Sequence, residues 1–183
     1  MTPEELIQVL TEADCLYSVS EIDSAIKAMA QAITAQLDGA LPLVYTVMNG
    51  GQVFAARLLL ELNFPLEATY IHATRYRGDI KGGDLHWKVP PADDLSGRTV
   101  LILDDILDEG ATLQAIVNDC RKRQAKQVYT GVLVEKIHER KVSGLEPCHF
   151  VGLRVPDRYI FGYGMDYREY WRNAPGIYAV KGL

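Results

Sequence analysis

The sequence predicts an α/β fold: a central parallel β-sheet flanked by helices. Two observations carry this. Short apolar runs of strand length alternate with longer segments whose apolar residues recur at helical spacing, and such alternation favours parallel pairing. At the centre, Val100-Leu101-Ile102-Leu103 reads as a strand buried on both faces, with Asp104-Asp105 at its carboxyl end and Leu113, Ile116, Val117 and Cys120 marking a helix just beyond. In an open parallel sheet, ligands bind outside the carboxyl ends of the strands.

Taken in order, Thr2-Pro3-Glu4-Glu5 starts a helix with a capping threonine, a proline in the first turn and acids at the positive end; Leu6, Val9 and Leu10 form its apolar stripe. A second helix opens at Ser20-Glu21-Ile22-Asp23, carries Ile26, Met29, Ala30 and Ile33, and stops near Asp38-Gly39. Leu43 to Met48 is the first buried strand. Asn49-Gly50-Gly51 is a tight turn into an apolar helix from Val53 to Leu62, and Leu66 to Ala73 is the next strand. The stretch 74–94 has no clean periodicity and is long for a connection, which marks it as a functional or disordered loop, with room for a hairpin around Gly82-Gly83. Ser96-Gly97-Arg98 turns into the central strand. Further strands are expected from Lys126 to Glu135 and from Phe150 to Val155. The remainder, from Pro156, is rich in aromatics and reads as loops.

Of the 183 residues, 48% are hydrophobic, enough for a proper core, and the net charge of −5 argues against a general nucleic-acid or membrane-surface binder. Arg121-Lys122-Arg123 is expected to be the solvated last turn of a helix rather than a basic site. Cys15, Cys120 and Cys148 are odd in number and show no metal spacing, so free thiols in a reducing compartment are expected. The acidic first residues are unlike a signal peptide, and no run is long and apolar enough to span a membrane, which points to the cytoplasm.

The acidic loop carries the chemistry. Strand alternation sends Asp104 and Asp105 to opposite sides, one toward a ribose and the other toward a metal or a structural partner. Asp108, Glu109, Gly110, Ala111 and Thr112 can wrap a small anion with main-chain N–H groups and a hydroxyl at the helix start.

The segment Leu103 to Leu113 resembles the phosphoribosyl-pyrophosphate signature of type I phosphoribosyltransferases, which implies a parallel sheet with a small hood over the active site. Met48-Asn49-Gly50-Gly51 resembles the pyrophosphate loop of the hypoxanthine-guanine branch. Leu133-Val134-Glu135-Lys136 resembles the strand end whose lysine reads a 6-oxopurine. Pro156 to Tyr167 resembles the segment in which an aromatic, here Tyr159, stacks on the base and the next residue, Ile160, meets it through the backbone. The resemblance runs from about Val47 to Arg172. It implies one domain over 1–183, with a core of about 40–156 and a hood from 1–38 and 157–183.

The implied roles follow by position. Asp104 and Asp105 hold the ribose, residues 108–112 the phosphate, and Asn49, Gly50, Gly51 and Arg172 the pyrophosphate; Lys136, Tyr159, Ile160 and Asp166 serve the purine. Asp108 is the general base. The cofactor is Mg2+, near Asp166, Asp104 and Asp105. The mobile loop has Arg75-Tyr76 where the family has a Ser-Tyr pair, and Glu109 stands where it often has a small residue, so that side chain is expected to point away from the phosphate. The implied partners are phosphoribosyl pyrophosphate and a 6-oxopurine, with no nucleic acid and no membrane, in a homodimer or homotetramer. The alternatives are a transferase for another base such as xanthine or adenine, or a non-catalytic sensor of the sugar phosphate. A dinucleotide binder is disfavoured because no Gly-x-Gly-x-x-Gly turn follows a strand. His86, Trp87 and His138 are read as structural or loop residues.

Overall fold

A computed structural model describes residues 1–75 and 85–182. The order of elements is α1 (Pro3–Glu12), β1 (Asp14–Ser18), α2 (Val19–Leu37), β2 (Leu43–Val47), α3 (Gly51–Leu59), β3 (Glu67–Arg75), β4 (Leu85–Val89), β5 (Thr99–Leu107), α4 (Ala111–Lys122), β6 (Gln127–Ile137), β7 (Phe150–Pro156), β8 (Ile160–Phe161) and β9 (Gly176–Ala179). Six strands form the main sheet in the order β4-β3-β2-β5-β6-β7. All neighbours pair in parallel except β3 and β4, which pair antiparallel. That pairing fits the expected hairpin, although Gly82-Gly83 itself lies outside the described residues.

The helices form where the sequence caps them. Thr2 and Ser18 each make a capping box, with Glu5 and Glu21 returning the bond. Helix α2 therefore begins one residue earlier than its apolar pattern suggests. Residues of β5 alternate between two cores. Leu101 and Leu103 pack with Ile22, Ile26, Met29 and Ile33 of α2 and with Phe54 of α3. Val100 and Ile102 pack on the opposite face with Ile116, Val117 and Cys120 of α4. Burial on both faces is why this strand is a continuous apolar run.

Three expectations are corrected. Strand β5 does not end before the carboxylates. It continues to Leu107 because β6 keeps pairing with it, through Asp104 opposite Val132, Ile106 opposite Val134 and Leu107 opposite Glu135. The aromatic tail is not all loop: β8 and β9 join β1 in a second sheet of three antiparallel strands, ordered β1-β9-β8. Helix α2 does not belong to a cap over the sheet, as the span 1–38 implied, because its apolar stripe is buried in the main core.

Phe54 is fully buried between α2 and the sheet. Phe54→Ala is expected to cost about 3–5 kcal/mol of folding stability, measured as a lowered urea midpoint; an unchanged midpoint would contradict this packing.

Candidate active site

The sheet reverses its winding between two neighbouring strands. From β2 the chain passes through α3 to β3 on one side; from β5 it passes through α4 to β6 on the other. This is a topological switch point, where a crevice opens at the carboxyl ends. Pairing of β2 with β5 stops at Thr46 and Leu103. Beyond that, β5 carries Asp104 and Asp105 past the end of β2, opposite the Asn49-Gly50-Gly51 turn, whose Met48–Asn49 peptide is cis.

On the α3 side, Asp105 lies against Gly50. A Cβ on Gly50 would overlap the Asp105 carboxylate, so this position requires glycine for space rather than for its backbone angles. Arg172 reaches the same place from the tail. It donates to the Gly164 carbonyl at 2.8 Å and pairs with Asp166 at 2.7 Å. Its charge also acts on Asp105.

Asp104 and Asp105 do not diverge cleanly, because the Asp104 carboxylate turns back to accept the Asp105 N–H at 3.0 Å. Burial, then the neighbouring Asp105 charge, holds the Asp104 carboxyl well above the usual range. Burial raises Asp105 too, while its hydrogen bond with Asp104 and the Arg172 charge pull it back.

On the α4 side, Gly110 is the N-cap with φ of 83°, and no side chain caps the helix. Asp108 is therefore not the cap. It turns the other way, into a cluster at the ends of β6 and β7. Lys136 Nζ donates to Asp108 Oδ2 at 3.2 Å, and His138 Nε2 lies 2.7 Å from Asp108 Oδ1. Arg140 pairs with Asp157 at 2.6 Å and approaches Asp108 and Glu109 at 3.9 Å each. Lys136 is also 4.0 Å from Asp157. Glu109 is thus directed toward Arg140, and its carbonyl accepts the Val142 N–H at 2.9 Å. Burial raises the Asp108 carboxyl, but its hydrogen bonds with His138 and Lys136 and the Lys136 charge outweigh this and hold it below the usual range. Asp108, His138 and Asp157 lie close enough to share an ion, but two cations, Lys136 and Arg140, already serve these carboxylates.

The other expected residues are distributed as follows. Tyr159 is exposed beside Tyr167, with ring centroids 5.6 Å apart, and Ile160 turns its side chain into the core. Asp166 is the partner of Arg172, and its second oxygen accepts the Glu169 N–H at 2.8 Å. Ala111 and Thr112 open α4 at the crevice. Asn49 is exposed. Arg75 is the last residue of β3, and Tyr76 lies outside the described residues. Cys120 is buried, which pushes its thiol up to about 12, and all three cysteines are free. Trp87 of β4 packs against the second core. Sequence reasoning missed His138, Arg140 and Asp157. A signal existed for the first two: in an extended segment, residues 136, 138 and 140 share one side.

The description "phosphoribosyl transferase domain" fits residues 16–154. The chain belongs to that family, and full-length similarities fall in its hypoxanthine-guanine branch. It is 32% identical over 167 residues to the hypoxanthine-guanine phosphoribosyltransferase of Bacillus subtilis, covering 91% of this chain and 92% of that one. It is 34% identical to the bifunctional protein TilS/HprT of Listeria innocua, again over 91% of this chain but only 26% of the relative. Among solved structures, a hypoxanthine-guanine phosphoribosyltransferase from Bacillus anthracis superposes with a TM-score of 0.82 at 28% identity, covering 91% of this chain and 96% of that one. Among the described residues, no helix is long and apolar enough to cross a membrane.

Gly50→Ala is expected to push the Asp105 carboxylate out of its place and to cost about 1–3 kcal/mol by overpacking. A crystal structure and a urea titration would show both; an unmoved Asp105 with an unchanged midpoint would contradict the close approach.

Proposed function

We propose that this chain is a purine-salvage enzyme. It transfers the 5-phosphoribosyl group from phosphoribosyl pyrophosphate to hypoxanthine or guanine, giving IMP or GMP and pyrophosphate. The observation that carries this reading is the reach of β5 beyond β2. One strand delivers Asp104, Asp105 and Asp108 to a crevice walled by the Gly50 turn on one side and by Lys136 on the other.

In this reading the 5-phosphate lies on the N–H groups of 109–112 and the Thr112 hydroxyl, at the uncapped start of α4. Asp104 and Asp105 hold the ribose hydroxyls. Gly50, Gly51 and Asn49 bring main-chain N–H groups to the diphosphate, and Arg172 neutralises part of its charge. The purine lies between Lys136 and Tyr159, with Ile160 and Asp166 beyond it. Lys136 can only donate, which suits a 6-oxo acceptor and not the 6-amino group of adenine. The purine ring nitrogen displaces diphosphate at the anomeric carbon. The N–C bond forms as the C–O bond to diphosphate breaks, and the proton on the purine's five-membered ring passes to Asp108.

Carboxylates are fitting donors for magnesium, a hard cation. Burial and the neighbouring Asp105 charge hold the Asp104 carboxyl well above its ordinary range, and Asp166 offers a third carboxylate. Bound there, magnesium supplies charge neutralisation of the leaving diphosphate. The cytoplasm fits the free thiols. A homodimer or homotetramer is supported by exposed apolar side chains such as Ile7, Leu60 and Tyr70.

Asp108→Asn is expected to leave folding intact and to cut turnover about a hundredfold or more, the usual scale of a lost acid–base group. Steady-state rates with the sugar donor, magnesium and hypoxanthine measure this, and near-normal turnover would sink the role. In the same assay, Lys136→Ala should raise the KM for the purine more than that for the donor; equal effects would count against base recognition.

A further inference from the structure

We infer that His138 is the positioning residue of Asp108: it fixes one carboxylate oxygen so that the other alone meets the purine proton. The inference rests on the reading of Asp108 as proton acceptor. It begins from the imidazole's two contacts. The Arg140 backbone N–H donates to Nδ1 at 2.9 Å. A backbone amide can only donate, so Nδ1 is the acceptor nitrogen and the hydrogen of the neutral ring sits on Nε2. Nε2 lies 2.7 Å from Asp108 Oδ1 and therefore donates to it. The ring is held at both ends, and its side chain is only 5% exposed. Such a ring has no freedom to flip, and it offers the carboxylate one fixed donor.

The two Asp108 oxygens then differ. Oδ1 is committed to His138 and Oδ2 to Lys136. The second contact is the longer one, 3.2 Å against 2.7 Å, and it comes from a flexible side chain. When a 6-oxopurine enters, the Lys136 ammonium turns to the purine carbonyl and Oδ2 is freed for the ring N–H. Oδ1 stays with His138. The proton therefore goes from the purine ring to Oδ2, and no charge accumulates on the histidine.

The remaining groups facing Asp108 set the sign of the pH effect. Lys136, His138 and Arg140 favour its ionised form, whereas Asp157 and Glu109 lie nearer Arg140 and partly neutralise it. The Asp108 carboxyl is held below its ordinary range, with burial opposing and the His138 and Lys136 bonds prevailing. Removing His138 takes away one lowering influence, so Asp108 protonates at higher pH and activity is lost earlier on acidification. The loss is greater once substrate is bound, because Lys136 has by then left the carboxylate and His138 is its remaining close donor.

The test uses the full chain as wild type, His138→Leu and His138→Gln. In glutamine the amide nitrogen can occupy the place of Nε2 and keep the donor. Rates are measured across pH with the sugar donor, magnesium and hypoxanthine. Nitrogen-15 NMR of the imidazoles in the wild type reads the tautomer without activity. For His138→Leu, kcat should fall about tenfold to a hundredfold, the scale of a hydrogen bond to a charged group. Its acid limb should move to higher pH, further in kcat than in kcat/KM, and His138→Gln should restore most of both. The NMR spectrum should show a neutral ring protonated at Nε2. A ring protonated at Nδ1, or an active wild type with an unmoved acid limb in His138→Leu, would overturn the positioning role alone. A wild type inactive on every purine would instead remove the transferase reading and this role with it.

Discussion

Everything at the site depends on one mismatch of strand length. Strand β2 leaves the sheet after Val47, while β5 keeps its pairing with β6 as far as Leu107. The unpaired edge this creates at residues 104–105 would be costly if it were buried against apolar groups. It is instead the floor of a crevice, faced by a glycine turn and an arginine. The same continuation sets the side-chain parity that puts Asp105 against Gly50 and sends the chain on to Asp108, on the far side of the crevice. Shorten β5, and the groups proposed to meet sugar, diphosphate and base lose their common frame.

Charge is divided across that frame in a consistent way. On the α3 side, burial holds both carboxyls above their ordinary range, the Asp105 charge raises Asp104 further, and Arg172 is the compensating cation beside Asp105. On the β6 side, Asp108 is surrounded by donors and is held below it. The first arrangement wants a cation and hydroxyl groups. The second wants a ligand that can draw Lys136 away. A sugar diphosphate and a purine carbonyl supply those two needs, and both belong to one reaction. The small sheet of β1, β9 and β8 ties the N-terminal segment to the tail. The hydrogen bond from Trp171 to the Leu6 carbonyl at 2.8 Å and the bond from Arg172 to Gly164 brace the strand-free stretch between β8 and β9.

The centre of the main sheet was legible because β2 and β5 are buried on both faces and so read as apolar runs. The turn at 108–110 into α4 was legible because its residues are contiguous. What the sequence hid was produced by partners distant in the chain. Strands β1, β8 and β9 are short, and their pairing joins residues 14–18 to 176–179 and 160–161. No local periodicity announces such a sheet. Asp104 and Asp105 were placed at a strand end because charged residues rarely continue a buried run; the partner strand decided otherwise. His138 was taken for a loop residue because a lone histidine has no motif. Its meaning comes from Asp108, 30 positions earlier, and from the alternation it shares with Lys136. Asp166 is expected near magnesium and the purine, and its pairing with Arg172 depends on the tail folding back.

The central claim is that one crevice joins a phosphoribosyl donor to a 6-oxopurine. The most direct measurement is product formation by the purified chain with phosphoribosyl pyrophosphate, magnesium and, separately, hypoxanthine, guanine, xanthine and adenine. Nucleoside monophosphate and pyrophosphate are expected from hypoxanthine or guanine, and none above background from adenine, whose amino group cannot accept from Lys136. Turnover of adenine in preference to the oxopurines, or tight binding of the donor with no turnover of any base, would contradict it.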